Sequence, residues 1–133
     1  VIFADSSFLI AFMIKRDRYH DAAVRLYEGV AGRQILTTNH VRGETWTWMR
    51  SRSWHARAVE FLDSIGAPEQ RIQVARVATD LEDEALRWLR RHDEREYSFV
   101  DATSFAFMRA RGIEEALAFD GDFAAAGFAE LRP

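Results

Sequence analysis

The sequence contains no cysteine, which excludes disulfides, thiolate zinc sites, iron–sulfur clusters and a cysteine nucleophile together. Two prolines and seven glycines in 133 residues exclude collagen-like and low-complexity chains. Lysine occurs once, at Lys15, so almost all the positive charge is arginine. The apolar runs are short and broken by charge, below the roughly 20 residues that a membrane-spanning helix needs, and no basic segment precedes an apolar one as in a signal peptide. A soluble, cytoplasmic protein with no membrane partner is expected. The missing initiating methionine leads us to expect a chain trimmed at its N-terminus.

What is present is a composition that folds. Hydrophobic residues make up 48% and aromatic residues 13% of the chain, enough for one core, and a single domain over residues 1–133 is expected. Eighteen basic against 21 acidic residues give a net charge of -3, which argues against a broad basic sheath.

Val1 to Ala4 reads as a buried strand ending in Asp5-Ser6-Ser7, and Phe8 to Ile14 as a buried helix. Tyr19, Ala22, Ala23, Leu26, Tyr27 and Val30 are spaced as one stripe of an amphipathic helix. Gln34 to Thr37 predicts a second strand, capped by Thr38 or Asn39 into a helix that runs past Val41, Glu44 and Trp48. Ser53 is expected to start a fourth helix, and Arg71 to Val77 alternates like a strand. Thr79 and Glu82 form a capping-box pair for a helix carrying Trp88. Ser98 opens a helix to about Arg111, Ala116 to Phe119 reads as a short strand, and Phe128 to Leu131 as a last one. Strands alternating with helices, without hairpin signals, imply an α/β fold with a mostly parallel sheet of four to five strands covered on both faces. In such sheets ligands bind at the carboxyl ends of strands, near a topological switch point.

Four acids fall where strands hand over to helices: Asp5, Glu44, Asp101 and Asp120. Each is also a good cap or first-turn residue, but the faces matter. Glu44 lies three residues after Val41 and four before Trp48, along the apolar stripe of its helix, whereas a capping acid should point outward. Asp101 shares a face with Phe105 and Met108. An unpaired buried carboxylate costs several kcal/mol or becomes neutral, and of the basic residues only Arg42 lies near one of these acids in sequence. A cluster of carboxylates without His or Cys suits a hard divalent cation, Mg2+ or Mn2+, better than zinc. Such a centre fits hydrolysis of a phosphodiester.

The segments V-I-F-A-D-S-S, T-T-N-H-V-R-G-E-T, Y-S-F-V-D-A and A-F-D-G-D-F carry these acids in order. Together they resemble the PIN-domain ribonucleases, and specifically the VapC-like toxins of bacterial toxin–antitoxin pairs, over essentially the whole chain. The resemblance implies a PIN-like α/β/α sandwich and a metal-dependent endoribonuclease. It also implies that Asp5, Glu44, Asp101 and Asp120 are catalytic and hold metal, with Asp5 and Asp101 as direct ligands. Asp122, Ser7 and Thr103 are the supporting residues it suggests, Ser7 by bonding to a ligand carboxylate. An RNA substrate, a cognate antitoxin and a homodimer are the implied partners.

Other signals are weaker. His20, His40, His55 and His92 lie on different elements without i, i+4 pairing. Trp46, Trp48, Trp54 and Trp88 read as core or interface residues, although the third and fourth helices, with Arg50, Arg52 and Arg57, form an aromatic, arginine-bearing surface suited to a protein interface or an RNA path. Arg87, Arg90, Arg91 and Arg95 among interleaved acids read as a solvated, salt-bridged helix face. A receiver-type phosphoacceptor domain is one rival, but it needs a lysine at a late strand end, and Lys15 ends the first helix. A catalytically idle PIN-like module that binds RNA or protein is the other.

Overall fold

The computed structural model describes residues 1–133. The first strand, β1 (Ile2–Ala4), is wholly buried and passes through Asp5 into α1 (Ser6–Met13), whose N-terminus is capped by the Asp5 side chain accepting from the Ser7 amide. The amphipathic α2 (His20–Gly29) follows, then β2 (Ile35–Thr38) and α3 (Asn39–Ser51), capped by the Thr38 hydroxyl on the Val41 amide at 3.2 Å. Next come α4 (His55–Ser64), β3 (Ile72–Ala75), α5 (Thr79–Arg91) and α6 (Phe99–Arg111). The chain finishes with β4 (Glu115–Leu117), α7 (Asp122–Ala125) and β5 (Ala129–Glu130).

All four strand pairings are parallel, in the order β3-β2-β1-β4-β5. Ile2 pairs with Ile35 on one side of β1, and Ala4 with Leu117 on the other. The chain moves outward from β1 through β2 to β3, then returns to the opposite side of β1 for β4. That reversal makes the gap beyond the carboxyl ends of β1 and β4 the switch point at which open α/β sheets bind ligands.

The core under this point is aromatic. Phe3 lies 6.0 Å from Phe107 and 5.8 Å from Phe123, ring centre to ring centre, while Phe105 meets Trp88, Tyr97, Phe123 and Phe128. Phe3, Phe105, Phe107 and Phe123 are fully buried. They lock α6 and α7 to the sheet and so hold Asp101 in α6, Asp122 at the start of α7 and the loop between β4 and α7 that carries Asp120.

Two local expectations are corrected. Ser53 does not start a helix; it sits at φ 62 in the turn between α3 and α4, and helix resumes at His55. Thr79 and Glu82 form no capping box, because Thr79 is already helical after Ala78 and Glu82 instead pairs with His40 at 2.8 Å.

Candidate metal centre

Asp5 stands at the end of β1 and is 1% exposed. Its Oδ2 accepts from the Ser7 hydroxyl at 2.8 Å and the Ser7 amide at 3.2 Å. The Ser7 Oγ in turn accepts the Phe119 amide at 3.0 Å, tying the exit of β1 to the exit of β4. Ser6 donates to Glu44 Oε2 at 2.7 Å, so consecutive serines orient acids from two different elements.

Asp101 occupies the third position of α6, where its Oδ2 accepts from the Ser98 amide at 3.0 Å and Ser98 Oγ accepts from the Asp101 amide at 2.9 Å. It is nevertheless only 7% exposed. The expectation that a capping acid points outward fails here: one carboxylate oxygen caps the helix while the group as a whole faces inward. Asp120 follows β4, and its Oδ1 accepts the Asp122 amide at 3.1 Å across Gly121, whose φ of 82 favours a residue without Cβ. Asp122 Oδ1 accepts from Arg95 Nε at 3.0 Å and Nη2 at 2.8 Å.

Carboxylate oxygens of Asp101, Asp120 and Asp122 lie within 4.8 Å of one another. Asp5 lies near enough to feel the charges of both Asp120 and Asp101. Glu44 borders the group on the side of Asp120 and, with Asp120, lines an open cleft of about 380 Å³.

The electrostatics follow from that crowding. Burial, then the charge of Asp120, pushes the Asp5 carboxyl well above its ordinary 3.8 against the opposing Ser7 bonds. Burial raises Asp101 to about 6, with Asp122, Asp120 and Glu44 adding to the rise against the Ser98 amide bond. Glu44 and Asp120 move up for the same leading reason. Four acids destabilised as anions call for positive charge. Arg95 supplies one cation; the remaining all-oxygen, partly buried donor set is the kind that hard divalent ions occupy.

Thr103 does not join the group. It is fully buried and its hydroxyl donates back to the Val100 carbonyl at 2.8 Å, as Ser104 does at the same distance. Arg95 is the residue missed in the sequence. It belongs to no helix face, since α5 ends at Arg91, whereas Arg87 does form a helical ion pair with Glu84. A guanidinium three residues before the Ser98 cap was the available signal. The cleft wall also contains Tyr19, stacked at 4.7 Å and 3° on Phe119, which hydrophobic periodicity assigns only to the core.

A family model described as PIN domain matches residues 2–129. A curated relative, the 23S rRNA-specific endonuclease VapC20 of Mycobacterium tuberculosis, is 49% identical over 137 residues, spanning 100% of this chain and 99% of that protein. The crystal structure of M. tuberculosis VapC20, a sarcin–ricin loop cleaving toxin, superposes with a TM-score of 0.93 at 49% identity over 100% of both chains. A toxin–antitoxin complex from Klebsiella pneumoniae shares the fold at a TM-score of 0.58 and 13% identity, covering 86% of this chain and 82% of that one.

Proposed function

The chain belongs to the PIN-domain family, and on that premise we propose that it is a metal-dependent endoribonuclease, the toxin of a toxin–antitoxin pair. The observation that carries the reading is the convergence of Asp5, Glu44, Asp101, Asp120 and Asp122 at the β1/β4 switch point, in a protein half identical to a 23S rRNA endonuclease along its whole length.

In this reading residues 1–133 act as one unit, and Asp5, Glu44, Asp101 and Asp120, supported by Asp122, hold Mg2+ or Mn2+. Bound there, a divalent cation supplies positive charge to phosphoryl oxygens and makes water a better nucleophile at neutral pH. The chain's own residues do the positioning. Ser7 fixes Asp5 against the β4 exit, Ser6 holds Glu44 toward the cleft, and the α6 cap fixes the rotamer of Asp101. The substrate is RNA, with ribosomal RNA as the favoured class. Hydrolysis leaves a 5′-phosphate and a 3′-hydroxyl, and the 2′-hydroxyl is not the nucleophile. A cognate antitoxin covering the cleft, a homodimer and a cytoplasmic setting complete the proposal. No helix is long and apolar enough to cross a membrane.

The receiver-type alternative finds no support, since Lys15 follows α1 and no lysine stands beyond β4. Incubating the purified chain with an RNA hairpin bearing the sarcin–ricin loop, with Mg2+, with Mn2+ or with EDTA, tests the function. Cutting that requires the ion and leaves a 5′-phosphate is expected. Binding without cutting under every ionic condition would turn the reading to an idle scaffold.

A further inference from the structure

The acidic centre repels the polyanion it is proposed to cut. The cations that draw RNA must therefore lie beside it, an argument that rests on the nuclease reading above. Five of the seventeen arginines are held in ion pairs: Arg33 with Glu115, Arg57 with Glu60, Arg87 with Glu84, Arg95 with Asp122 and Arg132 with Glu130. In contrast Lys15, Arg16 and Arg18, in the turn that follows α1, form no ion pair with any carboxylate. Asp17 among them is occupied by the Tyr19 amide at 2.8 Å.

This turn connects two cavities. On one side is the catalytic cleft, whose wall includes Arg18, Tyr19 and Trp48. On the other, between the end of α1 and the start of α4, is a pocket of about 410 Å³ lined by Met13, Ile14, Lys15, Arg16, Trp54 and Arg57. Trp48 and Trp54 meet edge-on at 5.6 Å and form the shared wall. The Arg52 guanidinium lies 3.6 Å over the Trp48 ring, and that of Arg18 lies 4.8 Å over Tyr19. Arg57 contacts Glu60, but at an exposed 3.1 Å pair that holds its charge only weakly. Aromatic planes interleaved with guanidinium groups, leading from the acids to a cationic pocket, have the composition of a single-strand nucleic-acid path.

We propose that an RNA strand leaving the acidic centre passes between Tyr19 and Trp48 and lays its backbone phosphates in the pocket of Lys15, Arg16 and Arg57. This subsite acts on binding and leaves the chemical step untouched. An overall charge of -3 is no obstacle, because the cations are concentrated where the strand runs.

The test is the triple variant Lys15→Gln, Arg16→Gln, Arg57→Gln, all exposed positions, on a long ribosomal RNA fragment and on the shortest fragment the wild type cuts. Expected results are a KM raised at least tenfold on the long fragment, kcat within twofold, and little change on the short one. In EDTA, the slope of log Kd against log salt should become shallower by about 2, the loss of three phosphate contacts. Unchanged KM and salt slope overturn the subsite, as does an equal loss on both fragments. Unchanged RNA binding with weakened binding of poly-glutamate overturns it too, in favour of an acidic protein partner. A wild type that binds RNA through these residues yet cuts none sinks the nuclease reading and leaves the subsite standing. Wild-type cutting with a variant of unaltered affinity sinks the subsite alone.

Discussion

Ser7 donates its hydroxyl to Asp5 at 2.8 Å while the same oxygen accepts the Phe119 amide, so the side chain that aims one acid also anchors the loop leading to Asp120. The Ser7→Ala variant is expected to lose roughly 10- to 100-fold in cation affinity or activity, as for other residues that orient metal-holding groups. Leaving the part-buried Phe119 amide unpaired should also cost about 1–3 kcal/mol. Cleavage rates against Mg2+ concentration and a denaturant titration separate the two losses.

Asp101→Asn should remove detectable cleavage while keeping the fold. The asparagine carbonyl oxygen can still accept from the Ser98 amide, which preserves the capping box. Asp101→Ala removes cap and charge together and should lose about 1 kcal/mol of the capping contribution. With activity gone, the expected result in EDTA near pH 7.5 is a melting temperature for the asparagine variant at or above that of wild type, because the amide leaves no buried anion to destabilise the fold. Retained activity in that variant removes Asp101 from the mechanism.

How much of this was legible beforehand differs by residue. Asp5 and Asp120 announced themselves because a buried strand ended on each, and Glu44 because its spacing from Val41 and Trp48 turned it off the solvent face. Asp101 was legible as buried, and its burial was set against its capping role as though the two excluded each other, since sequence spacing does not show that one carboxylate can cap a helix and still face inward. Arg95 was illegible because it acts from a loop on an acid 27 residues away, where helical periodicity has no purchase. Thr103 is turned away from Asp101, because two residues along a helix is the far side, and its hydroxyl donates to the Val100 carbonyl of its own helix. The sheet itself followed from alternating elements, whereas the order β3-β2-β1-β4-β5 depends on long-range pairings that leave no local trace.

Metal-free protein should lose stability as pH rises. The Asp101 carboxyl moves from 3.8 to about 6 in the folded chain, so between these values the native state holds more protons than the unfolded state, and unfolding free energy falls with increasing pH. Asp5, Glu44 and Asp120 shift in the same direction. The Asp101 contribution alone amounts to up to about 3 kcal/mol, complete above roughly pH 7. Melting temperatures in EDTA should be higher near pH 5 than near pH 7.5, and saturating Mg2+ should narrow the gap by binding the folded state selectively.

Arg95→Ala is expected to tighten Mg2+ binding, by about three- to tenfold at low salt, because the guanidinium competes with an added cation for Asp122 and repels it through a short distance. Calorimetric titration measures this directly. Weaker binding in the variant would instead make Arg95 a residue that aims Asp122 toward the ion.

The strand order has a temporal consequence during synthesis. Asp5 emerges from the ribosome early, Glu44 and Asp101 later, but the β4 exit carrying Asp120 and Asp122 slots in beside β1 only after β1, β2 and β3 are made. A nascent polypeptide that stops short of residue 120 lacks the last two carboxylates altogether. The hazard of a cutting centre assembling while translation is still under way is thereby postponed by topology alone.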